Sequence, residues 1–281
     1  MNRISKLKNL LKEKKCLKIL EAHSGLSGLI VEDSQFDGIW ESSLTDSGSK
    51  GLPDTELVTM DSRLNTIRQI AEVTTKPIIV DGDTGGQVDH FPYWVKRLQE
   101  VGVSAVIIED KSFPKKNSLD ENAKHKLEDI NVFSNKIKAG IKAKINPDFM
   151  IIARLESLIV NNDLEEAKSR ALAFLEAGVD GIMIHSKLQS PVDVINFAKW
   201  FHELSDKVLV CVPTAYNDVY DKDLERVGFN VIIHANHMLR ASFRAMKHVT
   251  DTIYKDNRSF NLNDSISTVK EIFKITGYDK E

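Results

Sequence analysis

Residues 105–119 read Ala-Val-Ile-Ile-Glu-Asp-Lys-Ser-Phe-Pro-Lys-Lys-Asn-Ser-Leu. The first four residues are apolar and mostly β-branched, which is typical of a strand that is buried on both faces of a parallel sheet. Glu109 and Asp110 follow at once, and a buried strand tolerates such charges only where something compensates them. The stretch therefore predicts a buried parallel strand that ends at a polar site.

The same pattern recurs along the whole chain. Segments with helical spacing separate the runs, and Gly102, Gly178 and Gly228 stand where a helix should end before the next strand. Eight alternations of strand and helix predict an α/β fold, a (β/α)8 TIM-type barrel, and 281 residues suit one such domain of roughly 250 residues with an N-terminal helix at 1–15. The eight apolar runs are 17–21, 38–41, 77–81, 105–109, 150–154, 181–185, 208–213 and 231–236.

Composition excludes several classes of protein. The net charge is −3 and the basic residues are scattered, which argues against nucleic acid as a partner. The longest apolar runs have the length of strands, so we expect no membrane span. The N-terminus lacks the apolar core of a signal peptide. Cys16 and Cys211 lie in apolar runs and are expected to be buried free thiols, so we predict a cytoplasmic protein.

Acidic residues follow three neighbouring strands at the carboxyl end, where parallel barrels carry their chemistry. Asp81 and Asp83 are two residues apart, so we expect both on strand three and on the same side of it. Glu109 ends the next strand, and Asp54 lies in the polar stretch 45–55, which we expect to be a loop over the barrel mouth. Converging carboxylates without a histidine or cysteine cluster suit Mg²⁺. The alternative is that these acids only cap helices or form turns.

Cationic and hydrogen-bonding groups follow the other strands. Arg154 and His185 end strands five and six, and Lys115, Asn117 and Ser118 lie in the polar segment 111–129, which is long enough to be a lid. Such groups bind phosphate or carboxylate oxygens, so we predict a site for a phosphorylated or carboxylated small molecule. The alternative for Arg154 is an ion pair with Glu156 or with a barrel carboxylate.

Short motifs lie along nearly the whole chain, at 21–25, 38–40, 81–85, 109–118, 152–156, 184–186, 212–214, 235–237 and 267–271. Their order and spacing over eight strands resemble the phosphoenolpyruvate mutase and isocitrate lyase superfamily and are specific for it. Within the superfamily, the chain most closely resembles the mutases.

The resemblance implies a Mg²⁺ site and a carboxylate pocket. Asp81 would bind Mg²⁺ most directly, and the other acids would support the ion largely through water; these are Asp83, Glu109 and Asp54. The substrate carboxylate would be held by Ser42, Ser43 and Leu44, with Trp40 as the wall. Glu41 and Ser43 stand where glycines are common in the superfamily.

The resemblance also implies a reaction. Arg154, His185 and Asn117 would bind or guide the phosphoryl group, with Ser118 nearby on the lid and Lys115 neutralising charge. Phosphorus would move from the enol oxygen of phosphoenolpyruvate to its C3 to form 3-phosphonopyruvate, an isomerase reaction at the entry to phosphonate biosynthesis.

Other activities of the superfamily stay open as alternatives. A phosphonopyruvate hydrolase would cleave the C–P bond to give pyruvate and phosphate; Asn117 disfavours it, whereas segment 212–216 is somewhat hydrolase-like. A C–C lyase of the isocitrate lyase type is disfavoured because the lid has no cysteine. A non-catalytic barrel that binds a phosphorylated metabolite is the remaining alternative.

The C-terminal segment 259–281 predicts an oligomer. Apolar residues form a helical stripe within 264–276, and the superfamily exchanges its last helix between neighbouring barrels. We therefore expect a homo-oligomer, either a swapped dimer or a homotetramer. The alternative is that this helix packs on its own barrel. The stripe consists of Ile266, Val269, Ile272, Phe273 and Ile275.

Overall fold

The structure is a computed structural model that describes residues 2–120 and 122–278. Eight parallel strands close into a barrel in chain order, with the first strand paired to the last. The predicted (β/α)8 barrel is therefore confirmed. The strands are β1 (Leu17–Glu21), β2 (Gly38–Glu41), β3 (Ile78–Asp81), β4 (Ala105–Glu109), β5 (Met150–Leu155), β6 (Gly181–Ile184), β7 (Val208–Cys211) and β8 (Val231–His234).

Helices surround the strands and close one end of the barrel. The N-terminal helix α1 places Leu7 against the residues inside the barrel. The helices are α1 (Arg3–Glu13), α2 (Gly25–Glu32), α3 (Ser43–Ser49), α4 (Met60–Val73), α5 (Phe91–Glu100), α6 (Ile130–Lys142), α7 (Ser157–Val160), α8 (Leu164–Glu176), α9 (Val192–Leu204), α10 (Asp221–Arg226), α11 (His237–Asp256) and α12 (Val269–Thr276). The predicted helix-ending glycines Gly102, Gly178 and Gly228 all have positive φ angles, which glycine adopts without steric cost.

The core has two layers, and strand alternation assigns each residue to one of them. On β4, Ala105 and Ile107 belong to the cluster inside the barrel, whereas Val106 and Ile108 pack between the strands and the helices. The period of two sends Glu109 into the barrel mouth and Asp110 outward to Arg170 of α8, whose Nη1 lies 3.2 Å from Asp110 Oδ2. Adjacent acidic residues therefore serve opposite faces of the barrel wall.

Two local predictions were wrong. Asp83 does not extend β3, because the strand ends at Asp81 and Asp83 adopts a left-handed φ of 51° in a turn. Gly82 permits this turn, since a Cβ there would lie 2.7 Å from Val106 Cγ2. The polar stretch 45–55 is not entirely loop either, because its first five residues belong to α3.

The lid, residues 111–129, has a paired base and an irregular tip. Lys111 forms an antiparallel bridge with Leu127, the Ser112 N–H donates to the Lys126 carbonyl, and the Glu128 N–H donates to the Asp110 carbonyl. Glu121 lies outside the described residues.

The C-terminal arm, which comprises α11 and α12, leaves many of its apolar residues exposed. None of the residues of α11 is buried against the described chain. Helix α12 lies beside α2 of the same barrel and begins at Val269, so Ile266 precedes it. Exchange of this helix between subunits stays a prediction, and residues 279–281 lie outside the described part of the chain.

The remaining expectations concern the thiols and membranes. Cys16 is partly buried and Cys211 is buried, and both are free thiols. Over residues 2–120 and 122–278, no helix combines the length and the hydrophobicity that crossing a membrane requires.

Candidate active site

The inward-facing residues at the carboxyl ends of the strands form a pocket at the barrel mouth. They continue the alternation of the inner core by one further position on each strand. The lid and the loop after α3 close the pocket from above. Eleven of the predicted residues line it: Trp40, Ser42, Ser43, Leu44, Asp54, Asp81, Lys115, Asn117, Ser118, Arg154 and His185. The two other predicted residues, Asp83 and Glu109, lie buried behind this lining.

Lys115 organises one side of the pocket, although it comes from the lid. It is only 3% exposed, and its Nζ lies 2.6 Å from Asp83 Oδ1, 3.1 Å from Asp54 Oδ1 and 2.8 Å from Ser43 Oγ. Burial alone would lower the pKa of Lys115, but the surrounding carboxylates, Asp83 first among them, raise it well above its usual value. Lys115 is therefore a fixed positive charge at neutral pH.

Arg63 supports Asp83 from behind and was missed by the sequence reasoning. Its Nη1 donates to Asp83 Oδ2 at 2.8 Å, and its Nη2 donates to Glu41 Oε2 at 2.6 Å. Burial raises the pKa of Asp83, but Lys115 and Arg63 outweigh it and lower that pKa below its usual value. One signal was available: Arg63 falls at helical spacing on the apolar face that Ile67 and Ile70 define.

Glu41 is the other partner of Arg63 and is completely buried. Burial raises its pKa to about 7, although the charge of Arg63 opposes the shift. This carboxylate occupies one of the positions at which the sequence departs from the superfamily pattern, and the Arg63 ion pair explains how the barrel tolerates it.

Arg154 and His185 form the opposite side of the pocket. Arg154 Nε donates to Glu156 Oε1 at 2.5 Å, so the ion pair considered as an alternative exists, and Nη2 donates to Ser118 Oγ at 2.9 Å. The Nη1 atom lies 3.8 Å from Asp81 Oδ2, which is too far for a hydrogen bond. It is therefore the guanidinium nitrogen best placed to bind a ligand. Burial and the charge of Arg154 lower the pKa of His185, so the imidazole is neutral at pH 7.

The lid is closed over the pocket. Asn117 Nδ2 donates to Asp54 Oδ2 at 2.6 Å, and Ser118 Oγ donates to Glu156 Oε2 at 2.6 Å. The lid residues Lys115 and Ser118 are buried as a result. The tip of the lid thus contacts both sides of the barrel mouth.

The acidic groups suit a hydrated hard cation. Both carboxylate oxygens of Glu109 are buried and form no hydrogen bond to any described residue, although Lys111 and Arg154 lie 3.2 and 3.4 Å away. Burial raises the pKa of Glu109 to about 7, against the charges of these two cations. Among residues 2–120 and 122–278, no three His, Cys, Asp or Glu side chains gather closely enough to hold a metal ion together. A Mg²⁺ ion here would therefore keep several water ligands, as this ion usually does.

One family matches this arrangement and the sequence. The sequence profile described as phosphoenolpyruvate phosphomutase matches residues 7–254. The chain belongs to the phosphoenolpyruvate phosphomutase family. The family predicted from the motifs is thereby confirmed.

Individual relatives extend the similarity over almost the whole chain. A phosphoenolpyruvate phosphomutase of Tetrahymena pyriformis is 38% identical over 98% of this chain and 92% of its own. The crystal structure of a phosphoenolpyruvate phosphomutase from Streptomyces platensis subsp. rosaceus superposes with a TM-score of 0.95 at 36% identity, covering 99% of this chain and 96% of its own. A phosphonopyruvate hydrolase in complex with oxalate and Mg²⁺ superposes with a TM-score of 0.92 at 32% identity, covering 100% and 96%.

Proposed function

We propose that this chain is a Mg²⁺-dependent isomerase that interconverts phosphoenolpyruvate and 3-phosphonopyruvate. The observation that carries the proposal is the closed lid, whose Lys115 and Asn117 enclose a pocket with carboxylates on one side and Arg154 and His185 on the other. The relatives named phosphoenolpyruvate phosphomutase support this reaction over most of the chain length. The reaction forms a C–P bond and would stand at the entry to phosphonate biosynthesis.

The substrate carboxylate would lie at the start of α3. Ser42, Ser43 and Leu44 line the pocket there, and the first backbone N–H groups of a helix have no partner within it. Trp40 forms the wall, and its buried indole N–H has no hydrogen-bond acceptor among the described residues. These donors would orient the three-carbon unit before phosphorus moves.

The phosphoryl group would lie between Arg154, His185 and Asn117. Transfer breaks the bond from phosphorus to the enol oxygen and forms the bond from phosphorus to C3. In the loose transition state of such transfers, fixed donors contribute mainly by positioning and by stabilising charge. Arg154 Nη1 and the fixed charge of Lys115 supply that stabilisation. The closed lid excludes water, which would otherwise capture the phosphoryl group.

Mg²⁺ is the cofactor that the acidic groups fit. Asp81 would hold it directly, while Asp83, Glu109 and Asp54 would bind its water ligands. When bound, the ion stabilises the enolate charge of the pyruvyl unit. Support comes from the unsatisfied oxygens of Glu109 and from the related hydrolase that was crystallised with oxalate and Mg²⁺.

The alternative is a phosphonopyruvate hydrolase, since a solved hydrolase has the same fold at 32% identity. The 2.6 Å hydrogen bond from Asn117 to Asp54 favours the isomerase, because it holds the lid against the barrel mouth and so limits the access of water to the phosphoryl group. A C–C lyase is less well supported, because the lid has no cysteine. A non-catalytic barrel that binds a phosphorylated metabolite is less well supported, because mere binding would not require a metal-supported site for an enolate.

We further propose that the protein is a cytoplasmic homo-oligomer, a swapped dimer or homotetramer, without nucleic-acid or membrane partners. Support comes from the C-terminal arm, where Phe243 is 66% exposed, and Met246, Val269 and Ile272 are also exposed. A second copy of the chain would cover these side chains, because exposed apolar side chains clustered on two helices are typical of a subunit interface.

Phosphorus NMR of the purified protein with 3-phosphonopyruvate and Mg²⁺ tests the proposed reaction. A phosphoenolpyruvate signal that disappears with EDTA is the expected result. Inorganic phosphate together with pyruvate would identify the hydrolase instead. An unchanged spectrum would contradict both reactions.

A further inference from the structure

Lys111, at the base of the lid, is a buried cation to which the proposed function gives no role. Its side chain is 2% exposed. On the lid side, Nζ donates to the carbonyl of Lys116 at 2.8 Å and to Ser118 Oγ at 2.8 Å. On the barrel side, Nζ lies 3.2 Å from Glu109 Oε1 and 3.3 Å from Glu156 Oε2.

Burying the Lys111 side chain is costly in solvation and side-chain entropy, so these contacts must compensate for it. They exist on both sides only while the lid is closed.

The hydroxyl group of Ser118 is fully used in this arrangement. It donates its hydrogen to Glu156 Oε2 at 2.6 Å and accepts hydrogen bonds from Lys111 Nζ at 2.8 Å and Arg154 Nη2 at 2.9 Å. A serine hydroxyl has one hydrogen and two lone pairs. Ser118 therefore has no hydrogen left for a phosphoryl oxygen in the closed lid, although the sequence predicted it among the substrate-binding residues.

Lys111 also balances the charge around Arg154. Two buried carboxylates, Glu109 and Glu156, face two buried cations, Arg154 and Lys111. If Lys111 were neutral, Arg154 would be the nearest cation for both carboxylates. Its guanidinium group would then be drawn toward Glu109 and away from the pocket, because an unpaired buried carboxylate is costly.

We propose that Lys111 is a positioning residue that latches the lid and keeps Arg154 Nη1 directed at the phosphoryl group. The latch consists of Lys111, Ser118 and Glu156, and it acts on the substrate only through Arg154 and through the exclusion of water. This inference rests on the proposed function. With the latch broken, water attacks phosphorus: a P–O bond to water forms, the C–P bond of phosphonopyruvate breaks, and C3 takes a proton from solvent. The products are phosphate and pyruvate.

Hydrogen exchange of the lid amides tests the latch without any substrate. The comparison uses ligand-free wild type, Lys111→Met, Lys111→Arg and a matched control, Lys124→Met, which removes an exposed lysine of the same lid. In Lys111→Met we expect exchange over 112–120 to accelerate about 10-fold or more. Loss of one hydrogen bond to a charged group corresponds to a factor of about this size. Lys111→Arg should restore part of the protection, and Lys124→Met should match wild type.

Product partition supplies the second measurement. The ratio of phosphate to phosphoenolpyruvate formed from phosphonopyruvate is measured by phosphorus NMR for the same four proteins. We expect the ratio to rise about 10-fold in Lys111→Met and to return toward the wild-type value in Lys111→Arg. A purely structural role would lower the melting temperature without changing this ratio.

The outcomes separate the latch from the proposed function. If wild type converts no phosphonopyruvate, the proposed function fails, while hydrogen exchange still tests the latch. If Lys111→Met exchanges and partitions like Lys124→Met, the latch is wrong. If Lys111→Met does not fold, Ser118→Ala takes its place, since it removes the central hydroxyl and keeps every charge. Wild-type exchange and partition in Ser118→Ala would then overturn the proposal, and faster exchange with more phosphate would support it.

Discussion

In most proteins charged side chains are exposed and apolar side chains are buried. The barrel mouth and the C-terminal arm depart from this rule in opposite ways. The mouth buries charged groups: Lys115, Asp83, Arg63 and Glu109 are almost inaccessible. The arm exposes apolar groups, and α11 has no buried residue against the described chain. Buried charges need compensating charges or a ligand, and exposed apolar side chains need a surface to cover them. Both departures are typical of sites where a protein binds another molecule, and the proposals above assign a small anionic molecule to the mouth and a second copy of the chain to the arm.

The largest effect is expected where a buried charge loses its partner. Arg63→Met leaves Glu41 and Asp83 buried without their shared cation, which should lower the free energy of unfolding by about 3–5 kcal/mol. Urea denaturation measures this change. Arg68→Met, on the exposed face of the same helix, is the control and should change stability by less than about 0.5 kcal/mol. Equal stabilities of the two variants would mean that the buried network contributes nothing to folding.

The next effect concerns the contact between lid and barrel. Asp54→Ala and Asn117→Ala each remove one side of the 2.6 Å hydrogen bond that closes the lid. Each substitution should reduce kcat about 100-fold, because small displacements of positioned groups have effects of that size. Steady-state assays of phosphoenolpyruvate formation measure the loss. Wild-type kcat in both variants would show that the site assignment is wrong.

A smaller effect is expected at the arm. Phe243→Asp places a charge within the proposed subunit interface and should weaken association about 30-fold, equivalent to roughly 2 kcal/mol. Sedimentation equilibrium measures the dissociation constant. Tyr93→Asp, which changes an exposed aromatic residue of α5, serves as the control. An unchanged mass distribution for Phe243→Asp would place the interface elsewhere.

The smallest predicted effect is a pH dependence of stability. Burial raises the pKa of Glu41 to about 7, above its value in the unfolded chain. Between these two values the folded state holds a proton that the unfolded state has released, so stability decreases as the pH rises toward 7 and levels off above it. Glu41→Gln should lack this decrease and gain about 1–2 kcal/mol relative to wild type between pH 5 and pH 8. Urea denaturation at both pH values checks this, with exposed Glu72→Gln as the control.

The sequence predicts the residues that line the pocket far better than it predicts the buried residues that support them. Strand alternation alone brings Asp81, Arg154 and His185 to one pocket, because the period of two is fixed by the backbone. Strand alternation does not predict the roles of Arg63 and Lys111, because a charged residue is buried only where residues from distant segments form ion pairs or hydrogen bonds with it. Nor does alternation predict the turn at Asp83, which follows a glycine with no room for a side chain against Val106.

The arm shows a different limit. Its apolar stripe is visible in the sequence, but the same stripe is compatible with packing on its own barrel or on a neighbour. Helix α12 touches α2 of its own chain and still leaves Val269 67% exposed. Intrachain contacts therefore cover only part of the apolar stripe. The helical period does not indicate whether the rest is covered by the same chain or by a neighbour.

The paired base of the lid has a consequence for how such enzymes diversify. Backbone bonds between residues 110–112 and 126–128 join the two ends of the lid where it leaves the barrel wall. An insertion, deletion or replacement between these two paired ends would leave the strands of the barrel undisturbed. A barrel built this way can acquire new chemistry by recombination of one short segment, while its eight strands and the acidic residues at their carboxyl ends are inherited intact.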